Sequence, residues 1–243
     1  MRRILLTLAI AACAPAGRPV QTSAPAPVVM PAPPAPAIAA EDPEDEMEVS
    51  GLLGTLDPAA VAPVVERHWR TIEDCFTRGR GAAVYIGGRL IIGLRIGVDG
   101  AVRSARVAGG DLGAWPVERC VLAAARSWKF PRPRGGEAEV SVPLELPARA
   151  AALADASKLA ERALAVRLLD LRPCLKGGSE GEGVYVTAYV APGGVVTSAG
   201  FAPVPENDYN EAWADCAHEK MLKWKLPDPR GSVWKVHGRY PRP

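Results

Sequence analysis

Hydrophobic and polar residues alternate from 90 to 98, which predicts a strand with one buried face. The apolar positions of this face are Leu90, Ile92, Leu94, Ile96 and Val98. Asp99-Gly100 follows and favours a tight hairpin turn, so the chain should return as a second strand over 101–107. Apolar residues then recur at helical spacing over 117–128, and a new alternation over 140–146 predicts a third strand.

A further helix is predicted in front of this hairpin. Asp57-Pro58 is typical of an N-cap followed by a proline in the first helical turn. The apolar stripe of this predicted helix, over 61–76, consists of Val61, Val65, Trp69, Ile72 and Phe76. Helix, hairpin, helix and strand therefore form one structural unit.

The same unit occurs a second time in the chain. When the sequence is aligned with itself, 184–190 matches 90–96, and 224–231 matches 128–135 without a gap. The second match repeats Trp-Lys, two prolines, an arginine and a glycine in register. We therefore predict an α+β protein with two tandem domains, each with a three-stranded antiparallel sheet.

The first domain should span 57–147 and the second 158–243, with a short connection over 148–157. The second copy should be the less regular one, because Pro173 should kink or end its first helix.

One series of features resembles the C-terminal domain of TonB proteins: a glycine before the alternating strand, the strand itself, Asp-Gly, and a helix that ends in Trp-Lys-Phe-Pro. The cysteines within Ile-Glu-Asp-Cys-Phe and Val-Glu-Arg-Cys-Val are more similar to the AgmX/PglI-type C-terminal domain of myxobacterial gliding-motility proteins. The resemblance covers 58–147 well and 156–242 more loosely. It implies a protein-binding domain, since the TonB domain contacts outer-membrane transporters partly through an added strand.

The N-terminus predicts export. Two arginines and an apolar run make 1–12 a signal peptide, and Ile-Ala-Ala-Cys ending at Cys13 resembles a lipoprotein lipobox. The alternative is an ordinary signal peptide with an incidental cysteine. Residues 13–56 should hold the lipidated Cys13 and an Ala/Pro-rich linker with an acidic run. Ala14, where an aspartate would imply inner-membrane retention, favours an anchor in the outer membrane, facing the periplasm.

Besides Cys13 the chain has four cysteines, and each repeat has two of them at matching positions. In an exported protein such cysteines are expected to form disulfides. We predict the disulfides Cys75–Cys120 and Cys174–Cys216. Free buried thiols and a metal site are the alternatives, although no cysteine has a second Cys or His at zinc-ligand spacing.

The sequence predicts no catalytic residue, cofactor, metal site or small-molecule substrate. His68, His218 and His237 are the only histidines, and a packed histidine is the simplest interpretation of His68. Trp128 and Trp224 are expected to fill the core. A net charge of +2 with scattered cations disfavours nucleic-acid binding.

The remaining hypothesis is protein binding at an exposed sheet edge. The candidate edge-strand residues are Glu139, Val140, Ser141, Val142, Val233, Trp234, Lys235 and Val236. We expect a lipid-anchored adaptor of the cell envelope that binds a partner protein in a motility or transport-related complex. The alternatives are a purely structural envelope lipoprotein, whose repeats only pack together, and a hydrolytic enzyme.

Overall fold

The computed structural model describes residues 54–150, 153–155, 158–174, 183–204 and 210–240, with the backbone alone for 153–155. The predicted signal peptide, Cys13 and nearly all of the linker lie outside the described residues. All described residues belong to one compact unit, Val49–Pro243.

The first half follows the predicted element order. Its elements are α1 (Pro58–Arg67), α2 (Trp69–Arg80), β1 (Gly88–Ile96), β2 (Val102–Gly110), α3 (Trp115–Ala125) and β3 (Ala138–Leu146). The three strands form an antiparallel sheet in the order β2-β1-β3, so β1 is central.

The second half repeats this order and adds one strand. Its elements are β4 (Leu153–Asp155), α4 (Lys158–Leu168), a 3₁₀ segment (Leu169–Cys174), β5 (Val184–Ala191), β6 (Val195–Pro203), α5 (Glu211–Met221) and β7 (Val233–Tyr240). The sheet order is β4-β7-β5-β6. Strands β5, β6 and β7 are antiparallel as predicted, but the predicted connection contributes β4, which runs parallel to β7.

The predicted single helix over 61–76 is two helices. Asp57 caps α1 by accepting a hydrogen bond from Ala59 N–H at 2.9 Å. The N–H of His68 then bonds to Val65 O, only three residues back, which tightens the turn and ends α1 before Trp69 begins α2. The His68 ring stacks on Trp128, with centroids 5.2 Å apart, so contact with a distant residue accompanies the break.

The first hairpin turns at the predicted Asp99-Gly100. Asp99 Oδ1 accepts a hydrogen bond from Ala101 N–H, and Gly100 adopts a φ of 79°. One expectation was wrong: Val98 lies in the turn and is 58% exposed, because β1 ends at Ile96.

Pro173 lies inside the 3₁₀ segment, and the α-helical part of this region already ends at Leu168. Cys174 therefore follows a tighter turn than its counterpart Cys75, which lies within α2. The second copy is less regular, as predicted.

One hydrophobic core runs through both halves. It includes Trp115 and Trp128 of the first half together with Phe201 and Trp213 of the second. Trp128 is 2% exposed and Trp224 is 7% exposed, so both tryptophans fill the core as expected. No helix of the described residues is long and apolar enough to cross a membrane.

Candidate functional site: the edge of the first sheet

β3 is an edge strand of the first sheet. It pairs with β1 along all nine of its residues, from Ala138 opposite Ile96 to Leu146 opposite Gly88, and no other described strand pairs with its outer side. Even-numbered side chains of β3 turn towards the core, whereas Glu139, Ser141 and Pro143 are exposed.

Pro143 indicates which backbone groups face outwards. A proline within a strand is tolerated at an edge when the N–H it lacks would point to solvent. Because backbone direction alternates along a strand, Glu139 and Ser141 share this outward direction with Pro143. The outer side of β3 therefore offers the N–H and carbonyl groups of residues 139 and 141.

A groove lies between this edge and the first helices. Its volume is about 620 Å³. One wall is residues 139–143 of β3, and the other is formed by Leu56, Pro58, Val61, Ala62, Val65, Glu66 and Trp69. Val61, Val65 and Trp69 belong to the stripe predicted as core, but they are only half-buried because no described residue fills the groove above them.

The charged residues that line the groove are acidic. Glu66 of α1 and Glu139 of β3 are both exposed. The Trp69 indole N–H donates to Glu73 Oε1 at 3.0 Å, which satisfies its only polar group and fixes the ring at the groove. Apolar walls, unpaired backbone groups and two carboxylates together suit an extended peptide segment that carries apolar and cationic side chains.

The second predicted edge, the outer side of β7, was expected to be unpaired, but it has a neighbouring strand. β4 pairs with Val233, Trp234 and Lys235, so these three candidate residues already have a neighbouring strand. The fourth, Val236, is completely buried. The connection between the halves returns along β7, and this path is the physical reason that the prediction was wrong for the second half.

Lys235 instead links the two halves. Its Nζ donates to Asp111 Oδ2 at 2.8 Å and to Gly87 O at 3.0 Å. Burial raises the pKa of Asp111, but the hydrogen bonds from Lys235 and the Arg89 N–H outweigh it and hold this pKa below its usual value. The Tyr189 hydroxyl also donates to Gly87 O, at 2.7 Å.

Glu118 forms a second link between the halves. This carboxyl group is 2% exposed and accepts hydrogen bonds from Ala114 N–H at 3.0 Å and from Phe201 N–H at 3.2 Å. Burial raises its pKa to about 7, because these N–H groups offset only part of the desolvation of the charged form.

Both predicted disulfides are present. Cys75–Cys120 joins α2 to α3, and Cys174–Cys216 joins the 3₁₀ segment to α5, each with a Cα–Cα distance of 5.6 Å. The matching positions of the two bridges confirm the cysteine pairing inferred from the repeat.

The three histidines have structural contacts. His68 stacks on Trp128, His218 Nδ1 lies 3.0 Å from Ala199 O, and His237 Nδ1 lies 3.1 Å from Thr187 Oγ1. Among the described residues, no three His, Cys, Asp or Glu side chains are grouped closely enough to hold a metal ion.

Sequence reasoning identified the β3 edge but missed the groove beside it. A signal was present: Pro63 and Glu66 interrupt the region in which Val61 and Val65 were assigned to the core.

Comparisons of the chain with protein-family models, curated proteins and solved structures find no match.

Proposed function

We propose that this protein is a binding adaptor of the bacterial cell envelope that captures an extended segment of a partner protein along β3. The observation that carries this proposal is the unpaired β3 edge beside the apolar groove of about 620 Å³. The bound segment would add a strand to the sheet through the backbone groups of residues 139 and 141 and place apolar side chains against Val61, Val65 and Trp69.

The second half supports this mode of binding. β4 occupies the outer edge of β7 through three residues, so the same chain already shows a strand added at the corresponding edge. In the first half, the segment before α1 contacts the chain just ahead of β3: the Thr55 N–H donates to Arg134 O, and the Gly54 N–H donates to Glu137 O, next to Ala138. No described residue pairs with the outer side of β3 from residue 139 onwards, and this is the part of the edge that the proposed partner segment would use.

The proposal places the adaptor on the periplasmic face of the outer membrane through lipidated Cys13, with the partner in a motility or transport-related complex. The two disulfides fit an oxidising compartment such as the periplasm. An intact mass of the protein from membranes tests the anchor: we expect a chain that begins at Cys13 with acyl groups and gains about four hydrogens on reduction. An unacylated chain would contradict the anchor.

The binding site is tested by photo-cross-linking in intact envelopes. A photoreactive amino acid at Ser141 should cross-link to a partner, whereas one at Ser104, exposed on β2, should not. Ala62→Arg should abolish the Ser141 adduct because its side chain fills the groove. The matched variant Ala59→Arg, on the same helix but outside the groove lining, should leave it unchanged.

A purely structural lipoprotein is the second candidate, and the continuous core between the halves favours it. It predicts that Ser141 and Ser104 cross-link to the same extent or not at all. An adduct at Ser141 that survives Ala62→Arg would also contradict the adaptor, because binding would then not use the groove.

A further inference from the structure

The outer face of α4 carries large apolar side chains among its charged ones. Ala160, Leu164 and Leu168 are completely buried, and Gly238 of β7 allows the last two to approach the strand closely. On the opposite side, Leu159 is 64% exposed and Val166 is 69% exposed. They lie seven residues apart, which is two helical turns, so they point to the same face with Arg162 between them, and we call these exposed residues the α4 patch.

The 3₁₀ segment extends this patch. Leu169 follows three residues after Val166 and is 44% exposed. Three of the eight large hydrophobic residues exposed in the described chain thus lie within 159–169. Single exposed apolar residues are normal on a protein surface, but three at helical spacing on one face indicate a contact surface.

Cations surround the patch. Lys158, Arg162, Arg167 and Arg172 are all exposed, and helical spacing places Arg162 beside both Leu159 and Val166. The acidic residues of this region are Glu161 and Asp170, and Asp170 pairs with Arg167 at 3.2 Å. Lys158, Arg162 and Arg172 therefore give the face a net positive charge.

We propose that this face of α4, with residues 158–172, docks onto a lipid bilayer that contains anionic headgroups. Leu159, Val166 and Leu169 would enter the headgroup and acyl boundary, while the long cationic side chains reach the headgroups. A second copy of the chain fits less well, because a symmetric contact through this face would bring Arg162 and its neighbours against like charges.

This surface is independent of the groove. It belongs to the second half and uses none of the residues of α1, α2 or β3. The membrane contact therefore neither requires nor excludes strand capture at β3.

Hydroxyl-radical footprinting of the full chain tests the proposal, because it reports each side chain separately whether or not an N-terminal anchor is present. The probe is a vesicle of phosphatidylethanolamine with about one-third phosphatidylglycerol, an anionic content that favours basic helices. Oxidation of Leu159 and Val166 should fall severalfold on addition of vesicles. Oxidation of Val98 and Leu222, which are also exposed, should stay the same.

Charge variants separate lipid docking from other causes. Lys158→Glu with Arg162→Glu should remove the protection of Leu159 and Val166. Lys223→Glu with Lys225→Glu makes the same change in charge at exposed positions of the same half and should leave it intact. Circular dichroism should show that both variants are folded.

Three results would overturn the proposal. The first is unchanged oxidation of Leu159 and Val166 with vesicles. The second is equal protection by vesicles without anionic lipid, or protection that survives Lys158→Glu with Arg162→Glu. The third is protection that depends on protein concentration and needs no vesicles, which would assign the face to a second copy.

Discussion

The two halves of the molecule have the same order of elements and a disulfide at the same place, but they differ at their last strands. Among the described strands, β3 pairs with β1 alone, whereas β7 lies between β5 and β4. The difference arises from a three-residue strand in the connection, and not from the strands that the halves share. It teaches that duplicated units of this kind can provide one binding edge and one structural edge without a change in their common fold.

The halves also differ in their surroundings. Exposed residues such as Arg95, Ser104 and Glu139 lie along the first sheet. β5, the central strand of the second sheet, is buried at six of its eight positions. β5 is therefore covered on both faces along most of its length, whereas the first sheet keeps one face with exposed side chains.

The largest expected effect is the loss of a disulfide, and it should be equal in the two halves. The bridges span 45 and 42 residues, so the chain-entropy model gives a loss of about 4 kcal/mol in the free energy of unfolding for either one. Cys75→Ala with Cys120→Ala should match Cys174→Ala with Cys216→Ala in urea denaturation. A much smaller loss in one half would show that this half is stabilised by other contacts.

The next effect concerns the pH dependence of the junction. The pKa of Glu118 is raised from 4.5 to about 7 in the folded protein, so folding favours its protonated form. The contribution of Glu118 to the free energy of unfolding should therefore fall as the pH rises from 4.5 to 7, by at most about 3 kcal/mol, and then level off. Burial lowers the pKa of His218 and His237, so these two groups contribute in the opposite direction and the Glu118 contribution is read as a difference from a variant. Urea denaturation between pH 5 and pH 8 measures this slope.

Glu118→Gln is the control for this slope. The amide keeps one oxygen, which can accept from one of the two N–H groups, and it cannot ionise in this range. The free energy of unfolding of the variant, taken relative to that of the unaltered protein, should therefore rise over the same pH range. If its slope equals that of the unaltered protein, another group is responsible.

A third, smaller effect tests how closely the halves approach. A Cβ on Gly200 would overlap Glu118 Oε1 and lie 2.5 Å from Ala114 N, so Gly200→Ala should lower the free energy of unfolding by about 1–3 kcal/mol. Gly109→Ala is the matched control in β2, since its nearest contact would be an ordinary 3.4 Å. Similar denaturation midpoints for the two variants would mean that the junction adjusts easily.

The smallest expected change examines the β3 edge itself. Ser141→Pro removes an N–H that faces outwards, so it should cost about 1 kcal/mol or less, as a proline compatible with an edge position. Val142→Pro removes the N–H that faces β1 and should cost about 3 kcal/mol or more. Equal losses in thermal or urea unfolding would contradict the assigned direction of the edge.

The alternation of apolar residues predicted strands at 90–98, 101–107 and 140–146, and these are β1, β2 and β3; the match of 184–190 to the first of them predicted β5. The repeat made the cysteine pairing predictable, because Cys75 and Cys174 occupy matching positions. These features depend on local patterns several residues long, and such patterns are visible in a single sequence.

The remaining features depend on contacts between distant residues. β4 is too short to show a pattern, and the break at His68 accompanies stacking on Trp128, sixty positions away. The groove arises because α1 leaves Val61 and Val65 half-covered, although their spacing is that of core residues. Lys235 was wrongly assigned to a binding edge, because its contact with Gly87 spans 148 positions and no local pattern in the sequence indicates it.

The parallel pairing of β4 with β7 also matters for dissecting this protein. A fragment that begins at residue 158 would lack β4 and expose the outer edge of β7 at residues 233–235. An uncovered strand edge favours intermolecular pairing, so this fragment should aggregate more readily than one that begins at 148, which exposes the same surface towards the first half but keeps β4. The connection between the halves is thus part of the second folding unit, and a boundary drawn by sequence similarity alone would divide it.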